Sequence, residues 1–479
     1  MKAPAAAAAD TGAANSGRRA GQSGPDGTGT PGQRRLEGLD AFRGCLIALR
    51  ILVGSQVAAI AAPFMLHAHG FGLTVADLVF PGFLFIMGLT IPVSMSAFLR
   101  PPVSPGGWDR PGYLVRIARR AALLYGAGMF LGAYPFLPEI LEHLRFVGVL
   151  QRLGIVYLVV AVLYITCAWS VLPAEPTGAG ACRPRPWSGG LGRLLARVLL
   201  LGGFPFLCVS VWIVATYTFR SPWPECAEVS GLVPDCSLQA YVDTGVWGAG
   251  HNFDGGRFDP EGLVSTLVAV VNCWAGAVIG MDVVRNKAGY KAAGPVRRRV
   301  RVLGCVGAVC VGAGLVLSRV IPIGKQLWTP SYALVTVGIM TAGFALVLLA
   351  FDGGLWPRRL ERPPALATAW GVRRWVSGGG GLGGMLSRGA APVGDTLVAL
   401  GRNPLFFYML SELVITTLDY IPVRYHGREG SLWSVGAEAG LAPWLGGPLA
   451  AMMWALLWLL LFYAPLARLL VARGWYLRV

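Results

Sequence analysis

The chain contains five histidines, and two of them, His67 and His69, stand in the stretch LHAHGFGLTVADLVFPGFLF, Leu66 to Phe85. Imidazole is the side chain best matched to proton transfer near neutral pH. It can also be acylated itself, which splits one hard group transfer into two easier ones. Further on, Asp77 precedes the apolar run LVFP and carries two compatible readings: a carboxylate that orients an imidazole, or the N-cap of the helix that follows. Metal chemistry is disfavoured, because histidines at i, i+2 chelate poorly from a helix and no Cys or Glu stands at ligand spacing beside them. His67 and Asp77 are therefore the candidate catalytic residues, His69 is read as a solvated neighbour, and no metal is expected.

The elements that must position these residues are membrane helices. Of 479 residues, 54% are hydrophobic and 14% charged, with mean hydropathy +0.57, whereas a soluble chain carries about a quarter charged residues. Several apolar stretches are long enough to cross about 30 Å of hydrocarbon as helix. The expected fold class is all-α, a polytopic membrane protein. Its ten spans fall at about 42–62, 78–98, 119–137, 147–169, 198–217, 263–283, 302–320, 330–351, 396–418 and 444–467.

The loops orient them. Those after even-numbered spans hold Arg100, Arg110, Arg116 and Arg119, then Arg183, Arg185 and Arg193, then Arg285, Lys287, Lys291 and Arg297 to Arg299, then Arg358, Arg359, Arg362, Arg373 and Arg374. The long loop 218–262 after the fifth span is instead acidic, with Glu225, Glu228, Asp235, Asp243 and Asp254. Cytoplasmic loops retain Lys and Arg, so both termini are expected in the cytoplasm and all five histidines (His143, His251 and His426 with the first pair) on the external side. The net charge of +17 is explained by this alternation, and no nucleic-acid partner is expected.

Residues 1–36 lack the apolar content to fold and lack a signal peptide's apolar core, and are read as a disordered cytoplasmic tail. The membrane domain then runs over 37–479, with a cytoplasmic loop at 352–393 whose SGGGGLGG, Ser377 to Gly384, reads as flexible linker. Of nine cysteines, Cys226 and Cys236 alone share the long polar external loop, on the oxidising side where a disulfide persists.

Six ordered motifs carry a resemblance. LDAFRG (Leu39 to Gly44), HAHGFGLTVADLVFPGFLFIMG (His67 to Gly88), GVLQRLGIVY (Gly148 to Tyr157), FDPEGLVSTL (Phe258 to Leu267), KQLWTPSY (Lys325 to Tyr332) and RNPLFFY (Arg402 to Tyr408) follow one another at family-like spacing. Together they resemble the heparan-α-glucosaminide N-acetyltransferase family, transmembrane acetyltransferases and their bacterial relatives, from about Leu36 to the C-terminus. The resemblance implies acetyl-CoA as a donor on the cytoplasmic side and an amino sugar or glycan as the acceptor across the membrane. It also implies His67 as the active histidine, and homodimerisation. Departures stand beside it. Gly54, in ILVGSQ, replaces the family's asparagine late in the first span, with Ser55 and Gln56 as neighbours able to supply a hydrogen bond. The family's aromatic residue and asparagine after the histidine become Gly70 and Phe71, and its GHE becomes Leu410-Ser411-Glu412.

The resemblance and the residues together place the rest of a site. Arg43 with Asp40 at the cytoplasmic mouth, and Arg50 about 10 Å inside the first span, are candidates for the donor's phosphates, against the plainer readings of an interfacial helix start and a snorkelling arginine. Gln151 and Arg152 are expected to face the bundle interior, because lipid exposure is costly. Asp259, Glu261, Lys325, Trp328 and Asn403 are candidates for the acceptor, with capping and interfacial anchoring as the competing roles. The expected protein is a multi-pass acyltransferase of a bacterial plasma membrane, in contact with lipid. The alternative is a sugar or anion carrier using the same polar residues without transfer chemistry, for which Gly54 speaks.

Overall fold

A computed structural model of the protein describes residues 36–96, 110–171, 202–229, 231–290, 293–353, 382–425 and 428–477. The tail before Leu36, the start of the fifth expected span, most of the 352–393 loop with part of its glycine run, and His426 lie outside the described residues.

The regular secondary structure of the described residues is helical except for one antiparallel hairpin, β1 (Pro422–Tyr425) and β2 (Arg428–Ser431). Its helices are α1 (Glu37–Gly54), α2 (Val79–Ser94), α3 (Arg110–Ala133), α4 (Pro138–Glu142), α5 (Val149–Val171), α6 (Phe204–Thr218), α7 (Leu238–Trp247) and α8 (Leu263–Arg285). After these come α9 (Ala293–Leu317), α10 (Pro330–Phe351), α11 (Leu382–Arg402), α12 (Pro404–Asp419), α13 (Leu432–Gly440) and α14 (Ala442–Leu445). The last helix is continuous from α15 (Gly447–Leu457) through a π-helical turn, Trp458–Tyr463, into α16 (Ala464–Ala472). Among the described residues, five helices are long and apolar enough to cross a membrane, and a sixth if the bent pair α11–α12 counts as one.

Two expected spans differ from what forms. The first, expected to about residue 62, ends as helix at Gly54; 55–62 is turn and extended chain. Apolar composition there marks a buried loop, because Val57 packs against Trp433 and Ala437, and hydrophobicity does not separate a buried loop from a helix. The ninth is broken at Asn403, with a bend of 91° between α11 and α12. Pro404 explains the break: the residue before proline is pushed out of the helical region, and Asn403 has φ −129° and ψ 54°.

The long helices approach closely where glycine removes the side chain. A Cβ on Gly88 of α2 would stand 1.8 Å from the Cys273 carbonyl oxygen of α8, and one on Gly401 of α11 would stand 1.8 Å from the Asp40 carbonyl oxygen of α1. Small residues at crossings are the usual solution for helices packed in lipid. With α2 clamped to α8 and α1 to α11, the loops at one end of the bundle are held against each other. That end carries the histidine.

Candidate active site

The loop from α1 to α2 is shaped by its turn residues. Pro63 starts a 3₁₀ turn to Met65, and Gly70 and Gly72 take φ of 78° and 142°, which only glycine adopts without strain. Gly72 N–H then donates to the Ile323 carbonyl at 2.7 Å, tying this loop to the one between α9 and α10. The second loop folds back through Trp328 N–H to the Lys325 carbonyl and Thr329 N–H to the Gly324 carbonyl, both 3.0 Å. The two loops bring His67 and Lys325 together across 258 residues of sequence.

His67 Nδ1 lies 2.8 Å from Asp77 Oδ1. Asp77 is 1% exposed, and its other oxygen accepts from Thr74 N at 3.1 Å, Thr74 Oγ1 at 2.9 Å and Ala68 N at 3.3 Å. An acceptor-only carboxylate so held favours the proton on Nδ1 and leaves the Nε2 lone pair outward. The His67 side chain is 56% exposed, so that lone pair is accessible. Lys325 Nζ stands 3.1 Å from both ring nitrogens and 3.8 Å from Asp77 Oδ1. Burial lowers the Lys325 pKa below the ordinary lysine value; Glu261 and Asp77 oppose the shift, and the charges of Arg152 and Arg50 add to it. Tyr332 OH donates to the Asp77 carbonyl at 2.6 Å and fixes the turn from beneath.

A second cluster abuts the first. Arg145 binds Asp259 through two hydrogen bonds and also reaches Glu261, with Phe253 under its guanidinium at 5.1 Å. Burial works against the charge on Glu261, but Arg145, Arg152 and Lys325 outweigh it and hold the pKa down. Arg152 is 1% exposed: it donates to the Pro260 and Gly262 carbonyls at 2.9 and 3.0 Å and to Ser265 Oγ, and its guanidinium faces Phe80 and Trp328. Asp243, on α7, accepts from Leu263 N–H at 3.0 Å and caps α8; burial pushes its pKa up to about 7.

Comparison with known proteins decides the family. The heparan-alpha-glucosaminide N-acetyltransferase of Mus musculus is 31% identical over 351 residues, covering 66% of this chain and 49% of that protein. The Homo sapiens protein of the same name is 31% identical over 342 residues, covering 66% and 48%. The chain belongs to the heparan-alpha-glucosaminide N-acetyltransferase family. It spans about half the length of the curated relatives it matches, and no family model matches it.

Within this member of the N-acetyltransferase family, the sequence-derived candidates separate into several places. His67, Asp77 and Lys325 meet, with Glu261 and Arg152 close behind them. Asp259 is fully buried and committed to Arg145, Phe253 N–H and Glu261 N–H. Trp328 is also fully buried, edge-on to Phe80 and Tyr332, with its indole N–H on Asn272 Oδ1 at 3.0 Å, and so offers no open face. Arg43 pairs with Asp40 at 3.4 Å at the start of α1.

Arg50 stands seven residues beyond Arg43 on α1, about 10 Å of helix rise, and pairs with Glu412 of α12. It therefore lies toward the His67 end and apart from Asp40 and Arg43. Gln151 faces the interior between α3 and α5, against Met129 and Gly128. Asn403 holds the C-terminal segment, donating to the Trp475 carbonyl at 3.0 Å and accepting from Leu477 N–H at 2.9 Å. Cys226 and Cys236 are disulfide-bonded. Among the described residues no group of three His, Cys, Asp or Glu gathers at ligand distance.

The sequence reading missed Arg145, Thr74 and Glu412. Arg145 had a signal: an arginine just ahead of a span, opposite a loop with two closely spaced acids. Thr74 is a polar residue three before Asp77, a common turn-forming spacing. Glu412 stood in Leu410-Ser411-Glu412, where the family has GHE, and no role was attached to it.

Proposed function

We propose that the protein is a transmembrane acyltransferase that moves an acetyl or related acyl group from acyl-CoA, bound from the cytoplasm, to an amino sugar or glycan on the extracytoplasmic side. The observation that carries the reading is the His67–Asp77 pair with Lys325 beside it. Asp77 holds Nδ1–H, which leaves the Nε2 lone pair, 3.1 Å from Lys325 Nζ, as the reacting atom of the ring.

Two routes use the same geometry. In one, Nε2 attacks the thioester carbonyl, CoA leaves as thiolate and takes a proton, and the acceptor amine then takes the acyl group from the imidazole and gives up its own proton. In the other, Nε2 removes the proton from the acceptor amine as that amine attacks the thioester directly. In both, the Lys325 ammonium stands where it can stabilise the negative charge that develops on the carbonyl oxygen. Glu261 and Arg145 border the side from which an acceptor approaches; Glu261 suits an ammonium or hydroxyl.

On this reading ten crossings put both termini in the cytoplasm and the His67 loop outside, with Arg43 and Asp40 at the donor's entrance, in a plasma membrane and as a homodimer. The test is transfer of label from radioactive acetyl-CoA to a panel of amino sugars by purified protein, wild type and His67→Ala. Transfer lost in the variant supports the enzyme. Thioester left intact with every acceptor, by folded protein, favours a carrier instead.

A further inference from the structure

Arg50 occupies the space that any side chain at residue 54 would fill. A Cβ on Gly54 would stand 1.6 Å from Arg50 Nη1 and 2.8 Å from Cζ. The guanidinium is thereby laid along α1, paired with Glu412 and 5.2 Å from the centroid of the Tyr408 ring. The π-helical turn Trp458–Tyr463 packs against α1. Tyr463 is 0% exposed, and among the described residues its hydroxyl has no hydrogen-bond partner. A buried hydroxyl left without a partner is costly, so this is a position where a ligand atom is expected.

We propose that Arg50, Tyr408 and Tyr463 form an intramembrane subsite that holds the thioester carbonyl of the acyl donor as it first binds, before that carbonyl is presented to His67 and Lys325, and that Gly54 exists to seat the guanidinium in it. The proposal rests on the acyltransferase reading and specifies where that donor binds. Charge decides the ligand class. Arg50 and Glu412 form a neutral pair, so a phosphate here would meet the Glu412 carboxylate without a spare cation. A carbonyl oxygen accepts from a hydroxyl and a guanidinium N–H and brings no charge into a desolvated place. Arg50 stands on α1 between the Asp40–Arg43 pair at its start and the loop that carries His67.

The experiment is equilibrium binding of radiolabelled acetyl-CoA and of CoA, which lacks the thioester carbonyl, to purified full-length protein. His67→Ala serves as the common background, so that no acyl group passes to imidazole. Gly54→Ala and Tyr463→Phe are added singly. The first displaces only the mobile end of Arg50 and introduces the best helix former; the second removes one hydroxyl. Each is expected to weaken acetyl-CoA about tenfold, the loss of one or two buried hydrogen bonds, and to leave CoA within about twofold. Equal loss for both ligands, or no change for either, overturns the subsite while leaving the acyltransferase reading intact. Failure of the folded background protein to bind either ligand overturns that reading, and the subsite with it.

Discussion

At the scale of single residues, the proposed site is one imidazole whose two nitrogens would have different work. Asp77 Oδ1 at 2.8 Å and three donors on Oδ2 leave little freedom in how the ring is held. Asp77→Asn keeps the shape but presents an amide to Nδ1, which favours the wrong tautomer; transfer should fall by roughly 10³-fold or more with little change in donor binding. A variant within tenfold of wild type would sink the pairing as a catalytic feature. Lys325 gives a pH signature. Burial, with Arg152 and Arg50 nearby, lowers its pKa, so the ammonium is lost on the alkaline side earlier than for a free lysine. The rate of transfer is therefore expected to fall with rising pH below the ordinary lysine range. Lys325→Arg, which stays charged, should lose that alkaline limb while keeping activity at lower pH. An unchanged limb in the arginine variant would assign it to another group.

At the scale of elements, the site depends on how helices are joined. Asp243 of α7 caps α8 from a buried position, and its pKa is raised to about 7. A carboxyl whose folded pKa is raised stabilises the fold below its unfolded pKa, and that stability is lost as pH rises through the folded value. Thermal midpoints in detergent should thus decline between about pH 4 and pH 8, and Asp243→Asn should flatten the decline. A wild-type profile that rises over this interval would contradict the buried cap. Packing makes a separate prediction. Gly88→Val, at the α2–α8 crossing, should destabilise by about 1–3 kcal/mol through overpacking. Gly312→Ala in α9, where a Cβ meets no atom within 4 Å, should not.

At the scale of the whole molecule, the placement of charge is the feature with a direct test. The disulfide Cys226–Cys236 lies in the loop expected outside the cell. In intact cells a membrane-impermeant maleimide should label these two cysteines after mild reduction and leave them unlabelled before it. Labelling that requires permeabilised cells would invert the orientation and place the His67 cluster on the donor side.

The sequence by itself determined the elements. Apolar run length marked nearly every long helix, because hydrocarbon thickness and helix rise are fixed quantities. The His67–Asp77 pair was legible because ten residues of one glycine-turned loop join the two side chains. Tertiary structure decided the rest. Lys325 reaches His67 across 258 positions, Arg145 reaches Asp259 across 114, and Arg50 reaches Glu412 across 362. No periodicity encodes such pairs, since they depend on which helix faces meet at glycine crossings. The same dependence set Arg50 apart from Arg43, enclosed Trp328 and turned Asn403 into a tether. A residue's type states what it can bind, and only the packing around it states whether anything else has bound it first.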